Sequence, residues 1–153
     1  MSAVPIPQLH YRRMRMSDLP EVASLEKSLY AFPWSLGNFR DSVNAGYDCW
    51  VITHGESVIG YAILMIAIDE AHLLNFAVAG EWHNQGIGRR FLKHMVEVGK
   101  LAGCQIVYLE VRPSNLAARH LYRTSGFQQI AIRPDYYPAP SGREDALFLG
   151  LSL

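Results

Sequence analysis

The chain carries His83-Asn84-Gln85-Gly86-Ile87-Gly88-Arg89-Arg90 between a β-forming run and a run with helical periodicity. The β-forming run covers residues 71–78. On the other side, apolar residues recur at helical spacing as far as Val98, and Gly103 stands where a glycine commonly ends a helix. Residues 106–111 are again rich in β-branched and aromatic residues. Strand, helix and strand in this order predict a βαβ crossover with two parallel strands.

The remaining elements follow from apolar periodicity on either side of this unit. Alternating or β-branched runs predict strands, whereas apolar residues three and four apart predict helices. The predicted strands cover residues 9–16, 47–53, 58–68, 71–78, 106–111, 127–132 and 146–153, and the predicted helices begin after Ser17, after Ser35, at Ile87 and near Pro113. We expect an α+β (α/β-like) fold in one domain, residues 1–153. Its core is one mixed, mostly antiparallel sheet of about seven strands with flanking helices.

The longest segment without a clear period is residues 133–144, which contains Pro134, Tyr136, Tyr137, Pro138, Pro140 and Gly142. Its prolines and glycine predict a long loop between the last two strands. Loops of this length inside a compact domain are often functional. A plain solvent-exposed connection between two strands is equally compatible with the length.

The overall composition excludes several classes of function. Fourteen basic residues balance fourteen acidic ones, so no net charge draws the chain onto nucleic acid or an anionic membrane. The apolar runs are too short to span a membrane and the first residues lack a secretory pattern, so we expect a cytoplasmic protein. We also expect it to be a monomer. Cys49 and Cys104 stand far apart in apolar surroundings, which predicts buried hydrophobic side chains. The six histidines are scattered, so no metal site is expected.

The turn before the central helix has the composition of an anion-binding loop. Glycines let the backbone approach a ligand, and the first N–H groups of a helix have no intrahelical partner. Arg89 and Arg90 add positive charge there. Tight packing of the strand on the helix would also account for the glycines. The stretch lacks the Gly-Lys-Ser/Thr of a P-loop and does not complete G-x-G-x-x-G. The candidate ligand-binding residues are Asn84, Gln85, Gly86, Ile87, Gly88 and Arg89.

Residues 83–88 resemble the (Arg/Gln)-x-x-Gly-x-(Gly/Ala) loop of the GNAT superfamily of N-acetyltransferases, with His83 in place of the usual Arg or Gln. The resemblance implies that the backbone amides of this loop bind the pyrophosphate of acetyl-CoA. It also implies that the segment Phe76-Ala77-Val78 splays from its parallel neighbour and pairs with the pantetheine arm and the acetyl carbonyl. The central parallel strand pair is therefore expected to be splayed.

The C-terminal half is similar, more specifically, to the bacterial ribosomal-protein-alanine acetyltransferases. The matching stretches are residues 73–78, 109–112, 115, 121–122, 126–127, 136–138 and 142–146. The resemblance implies transfer of an acetyl group to the N-terminal alanine of a small-subunit ribosomal protein, by direct attack within a ternary complex. Two alternatives keep the same loop: an acetyltransferase for a lysine or small-molecule amine, and a non-catalytic acyl-CoA-binding module.

Amine attack on a thioester needs a base and an acid. An N-terminal amine titrates near ~8, and a phenol near ~10 stays protonated until the thiolate departs. Glu110 is the predicted base, with an ordinary ion-paired carboxylate as the alternative, and Tyr122 is the predicted acid, with a half-buried core residue as the alternative. Asn115 either caps its helix or contacts the coenzyme. Tyr136 and Tyr137 are predicted to bind the acceptor peptide unless they only pack the loop onto the core.

Overall fold

The computed structural model describes residues 8–153, and its strands form one seven-stranded sheet. The strands are β1 (Leu9–Arg13), β2 (Asp48–His54), β3 (Ser57–Ala67), β4 (Glu70–Val78), β5 (Ile106–Val111), β6 (Gln128–Ala139) and β7 (Gly142–Ser152). Their order across the sheet is β1-β2-β3-β4-β5-β7-β6. The β4–β5 pair is parallel, and the other neighbouring pairs are antiparallel. The predicted mixed, mostly antiparallel sheet is confirmed.

The helices cover both faces of the sheet. They are α1 (Leu19–Leu29), α2 (Leu36–Asn44), α3 (Ile87–Leu101) and α4 (Leu116–Thr124). Val22 of α1 and Phe39 of α2 share one buried cluster with Tyr61. Phe91 of α3 shares the other cluster with Ala62, the next residue of β3. Successive strand residues point to opposite faces, so β3 contributes to both halves of the core.

The parallel pair in the middle of the sheet separates before its strands end. Pairing between β4 and β5 stops at Leu73↔Leu109, although both strands continue. Consecutive residues of β3 pair with the two neighbours of Leu74, which leaves Leu74 bulged out. Beyond the bulge, residues 74–78 of β4 and 110–111 of β5 border an opening that we call the wedge. The splayed parallel pair expected from the resemblance is therefore present.

The prediction of an irregular loop over residues 133–144 is wrong. β6 continues to Ala139 and β7 begins at Gly142, so a tight turn joins two long strands. The prolines are compatible with β6 because it is an edge strand, whose outer N–H groups need no strand partner. A register shift between Arg133 and Tyr137 accommodates the irregular part of the sequence.

The first strand is shorter than predicted, and Ser17 does not cap α1. β1 ends at Arg13, and a 3-10 turn at Met16–Asp18 leads directly into the helix. The Asp18 carboxylate accepts two hydrogen bonds from the Arg12 guanidinium, at 2.7 and 2.8 Å. This partly buried ion pair connects the strand to the turn from which the helix begins, and the sequence pattern alone gave no sign of it.

Cys49 and Cys104 are both free and buried, which confirms their predicted role as small interior side chains. Burial raises the pKa of the Cys49 thiol to about 11. Over residues 8–153, no helix is long and apolar enough to cross a membrane. In the same range, no group of three or more His, Cys, Asp and Glu side chains is arranged to hold a metal ion.

The close approach of β2 and β4 to Gly60 predicts a steric cost for any side chain at that position. A Cβ added there would lie 2.7 Å from Ile52 Cγ2 and 2.8 Å from the Ala77 carbonyl oxygen. We expect Gly60→Ala to lower the free energy of unfolding by about 1–3 kcal/mol in urea denaturation. Gly37→Ala in α2 is the control, because its Cβ would lie 3.6 Å from Ser35 Oγ, an ordinary contact. Equal stability of the two variants would contradict the close approach.

Candidate active site

The β4 side of the wedge consists of main-chain groups. The Ala79 N–H donates to the Ile59 carbonyl of β3 at 2.7 Å. Main-chain groups alternate along a strand, so Phe76 and Val78 direct theirs away from β3 and toward the wedge. The Tyr30 hydroxyl donates to the Phe76 carbonyl at 3.4 Å. Apart from such contacts, this edge of β4 is available to a ligand that pairs with a strand.

The glycine-rich loop lies beside the same end of β4. Asn84 and Gly86 have positive φ values of 61° and 76°, and Gly86 precedes the first residue of α3. The first N–H groups of a helix have no intrahelical partner, and no side chain of the N-cap residue satisfies those of α3. A Cβ added to Gly88 would lie 3.6 Å from Leu121 and 4.0 Å from Val78. The loop therefore adjoins both the wedge and α4.

The side chains of the loop hold the loop in place. The Gln85 amide donates to the Glu81 carbonyl at 3.2 Å. His83 Nε2 donates to the Val78 carbonyl at 2.6 Å, which ties the loop to β4. The Arg89 guanidinium donates to Thr124 Oγ1 at 2.8 Å. What the loop offers to an anion is therefore mainly backbone N–H groups and the positive end of the α3 dipole.

Tyr122 enters the wedge from α4. Its side chain is buried, and its ring lies edge-on to Phe76 at 6.5 Å and to Phe127 at 5.7 Å. Burial raises the pKa of the Tyr122 phenol, and the neighbouring Tyr30 and Tyr137 hydroxyls raise it further. The phenol is therefore protonated at neutral pH, which is the state that a proton donor requires.

Glu110 lies on the opposite side of the wedge, in β5. Its carboxylate is 3.6 Å from the Arg133 guanidinium, and 23% of its side chain is exposed. Burial raises the pKa of Tyr136 and of Tyr137, and the charge of Glu110 raises both further. The carboxylate therefore combines partial solvent access with an exposed ion-pair partner.

The structure shows the capping interaction for Asn115. Its Oδ1 accepts a hydrogen bond from the Ala118 N–H at 3.2 Å, at the start of α4. That oxygen therefore accepts within α4, as the interpretation of Asn115 as a helix cap requires.

The two tyrosines of the β6–β7 hairpin lie on one side of the candidate site, where Arg112 packs on Tyr137. Tyr136 and Tyr137 lie edge to face at 4.9 Å. The Arg112 guanidinium lies 4.3 Å from the centre of the Tyr137 ring and 5.6 Å from the centre of the Phe32 ring. It also donates to the Pro138 carbonyl at 2.7 Å. Arg112 thus connects the hairpin to the segment between α1 and α2.

Sequence reasoning missed three residues of this region: Glu26, Tyr30 and Arg112. Glu26 is 3% exposed and accepts hydrogen bonds from three different segments. It stands four positions after Val22, on the apolar face of α1. A charged residue on an apolar helical face was a usable signal, because such residues are rarely fully buried unless paired.

The structure places the predicted residues in two groups along the wedge. The loop at 84–89 lies at the α3 end with Val78. Around residues 74–76 and 110–111, the wedge is bordered by Phe76, Tyr122 and Glu110, with Tyr137 near both proton-carrier candidates. This arrangement offers amides to an anion at one end, strand pairing along the middle, and a phenol and a carboxylate at the other end.

Comparison with known proteins gives consistent relatives over most of the chain. Residues 12–127 match the family model described as Acetyltransferase (GNAT) family. The chain is 36% identical over 140 residues to the ribosomal protein bS18-alanine N-acetyltransferase of Escherichia coli K12, and the match covers 92% of this chain and 95% of that protein.

Solved structures agree with the sequence comparison. The crystal structure of the ribosomal-protein-S18-alanine N-acetyltransferase from Escherichia coli has a TM-score of 0.89 and 35% identity, covering 95% of this chain and 94% of the other. The NatC complex bound to Gag peptide and CoA has a TM-score of 0.82 at 19% identity, covering 95% and 99% of the two chains. The second likeness supports the fold alone.

The loop geometry predicts that Gly88→Val weakens acetyl-CoA binding. The added branches would occupy the space between Val78 and Leu121, next to the unpaired amides. We expect the Kd measured by calorimetry to rise about tenfold or more, which is ~1.4 kcal/mol or more. Gly80→Val is the control, because a Cβ there meets no atom within 4 Å. Wild-type affinity in a folded Gly88→Val protein would remove the loop from the site.

Proposed function

Because the chain belongs to the acetyltransferase (GNAT) family, we propose that it transfers the acetyl group of acetyl-CoA to the N-terminal alanine α-amine of a ribosomal protein. The observation that carries the proposal is the wedge itself. It combines an unpaired strand edge, a glycine-rich helix N-terminus, and a phenol and a carboxylate from different elements. The acceptor rests on the relatives, since their names specify ribosomal protein bS18-alanine acetylation. Such an acceptor is consistent with the expected cytoplasmic location.

The residues of the wedge fit an acyl-CoA molecule in three respects. The first-turn amides of α3 and the residues 84–88 offer N–H groups to a pyrophosphate. Phe76 and Val78 offer main-chain groups to the amides of a pantetheine arm, as a neighbouring strand would. An N–H from the same edge would donate to the acetyl carbonyl and so polarise it toward attack. No metal takes part in this proposal.

The proton carriers act on opposite sides of the wedge. Glu110 accepts the proton that the α-amine releases as its nitrogen forms a bond to the acetyl carbon. Tyr122 donates its phenolic proton to the coenzyme A sulfur as the carbon–sulfur bond breaks. The raised pKa of Tyr122 keeps that proton in place until the thiolate forms. The transfer is direct, within a ternary complex, and no covalent enzyme intermediate forms.

The acceptor side lies between the hairpin and the α1–α2 connection. Tyr136 and Tyr137 offer flat, amphipathic rings whose orientation is restrained by their mutual contact and by Arg112. Phe32, on the other wall, is 44% exposed. An extended peptide end between these walls would bring its α-amine to Glu110. A monomer remains the prediction, and the balanced charge predicts that it contacts no nucleic acid directly.

Steady-state assays with three acceptors test the proposed function. The proposal expects release of the coenzyme A thiol with an alanine-ending peptide, and much slower release with a polyamine or with a peptide whose only amine is a lysine side chain. Faster turnover with either alternative would reassign the acceptor. Tight acetyl-CoA binding without thiol release for any acceptor would indicate a binding module.

The proton-carrier roles predict large losses of turnover without loss of fold. We expect Tyr122→Phe and Glu110→Gln each to lower kcat by about 10²–10⁴, with acetyl-CoA affinity nearly intact. Tyr108→Phe and Glu97→Gln are the matched controls, since Tyr108 stacks on Phe148 and Glu97 pairs with Lys100 on the surface of α3. Full activity in a wedge variant would reassign that residue's role.

The position of Tyr137 in the β6–β7 hairpin predicts an effect on acceptor binding that is separate from acetyl-CoA binding. We expect Tyr137→Ala to raise the KM for an alanine-ending peptide roughly tenfold, equivalent to ~1.4 kcal/mol, while the Kd for acetyl-CoA stays near the wild-type value. Ile132→Ala is the control, because Ile132 lies on the same strand and is 51% exposed. A drop in melting temperature with unaltered peptide kinetics would mean that Tyr137 only packs the hairpin.

A further inference from the structure

Glu26 is a buried carboxylate that the catalytic scheme does not use. Only 3% of the residue is exposed. One carboxylate oxygen accepts hydrogen bonds from the Tyr61 hydroxyl at 2.7 Å and from the Asn75 amide at 3.0 Å. The other accepts from the Trp34 N–H at 2.9 Å. In residues 8–153, no Lys, Arg or His lies within ion-pair distance of Glu26.

The three donors come from segments that are far apart in sequence. Tyr61 belongs to β3, and Asn75 directly follows the bulge that opens the wedge. Trp34 belongs to the α1–α2 connection, residues 30–35, which forms one wall of the acceptor side. The Trp34 ring packs on Phe39 at 5.3 Å, and Phe39 packs edge-on to Tyr61 at 5.6 Å. These contacts therefore connect Glu26, Trp34, Phe39 and Tyr61 in a closed cycle.

The three donors differ in what they require of Glu26. The Trp34 N–H can only donate, whereas a tyrosine hydroxyl and an asparagine amide can each also accept. Glutamine would keep one oxygen for Trp34 and could donate its NH₂ group to Tyr61 and Asn75, so it would preserve the anchor. Burying a charge is costly unless hydrogen bonds compensate for it. A less costly apolar residue would pack α1, but it would leave the α1–α2 connection without its anchor.

We propose that Glu26 is a positioning residue that holds the α1–α2 connection against the splayed end of β4 and so sets the acceptor side of the site. The proposal rests on the acetyltransferase function proposed above. Two contacts extend the anchored segment to the reacting region: the Tyr30 hydroxyl reaches the Phe76 carbonyl, and Phe32 lies under Arg112. Burial, together with the charge of Glu26, raises the pKa of Tyr30 to about 12, so that phenol remains a donor to β4.

Comparison of Glu26→Leu with Tyr61→Phe tests this role. Both variants remove hydrogen bonds from the same buried cluster, but Tyr61→Phe leaves both carboxylate oxygens free to hold Asn75 and Trp34. We expect Glu26→Leu to raise the KM for an alanine-ending peptide about tenfold and to speed hydrogen exchange of the Trp34 amide. The Kd for acetyl-CoA should stay near wild type. Tyr61→Phe should lower the melting temperature while leaving the peptide KM and Trp34 exchange close to wild type.

Two outcomes would overturn the proposal. One is a Trp34 exchange rate in Glu26→Leu that rises no more than in Tyr61→Phe, and the other is an equal change of KM in both variants. Should Glu26→Leu fail to fold, Glu26→Asp retains the carboxylate, withdraws it by one methylene and is judged by the same comparison. Exchange reports on the anchor even if the wild-type protein does not acetylate an alanine peptide, so the proposed function and the anchoring role fail separately.

Discussion

The site depends on the interruption of one β-ladder. Pairing between β4 and β5 stops at Leu73↔Leu109, next to the residue of β4, Leu74, that bulges out of register with β3. Beyond that point, β4 still pairs with β3 and β5 with β7, but the main-chain groups that face the wedge have no strand partner. Buried backbone groups need hydrogen bonds, so they must be satisfied by side chains or by a bound molecule. Tyr30 and His83 satisfy two carbonyls, and the rest of the edge is left for a ligand.

The groups that border the wedge come from both faces of the sheet. α3 and α4 cover one face and contribute amides and the Tyr122 phenol. α1 and the α1–α2 connection cover the other face and, with the β6–β7 hairpin, border the path to Glu110. In the proposed function, a thioester held along β4 would be approached by an amine from the other face without displacement of the coenzyme. Direct transfer within a ternary complex is the proposal that this arrangement supports.

The tyrosines of this region share one electrostatic property. Burial raises the pKa values of Tyr30, Tyr122 and Tyr137, so all three are neutral donors at physiological pH. Glu26 and Glu110 are the neighbouring acceptors. The site therefore combines neutral phenols with carboxylates, and its cations, Arg112 and Arg133, lie on the outer side against aromatic rings.

Local sequence determined the elements whose causes are local. Period-two and helical patterns predict the seven strands and four helices, and the glycines of 84–88 predict the anion-binding turn. The resemblance adds the roles of Glu110 and Tyr122. Tertiary structure decided the hairpin over residues 133–144, because only an edge position makes its prolines acceptable in a strand. It also decided the burial of Glu26, because the three donors that offset its charge are distant in sequence and meet only in the folded chain.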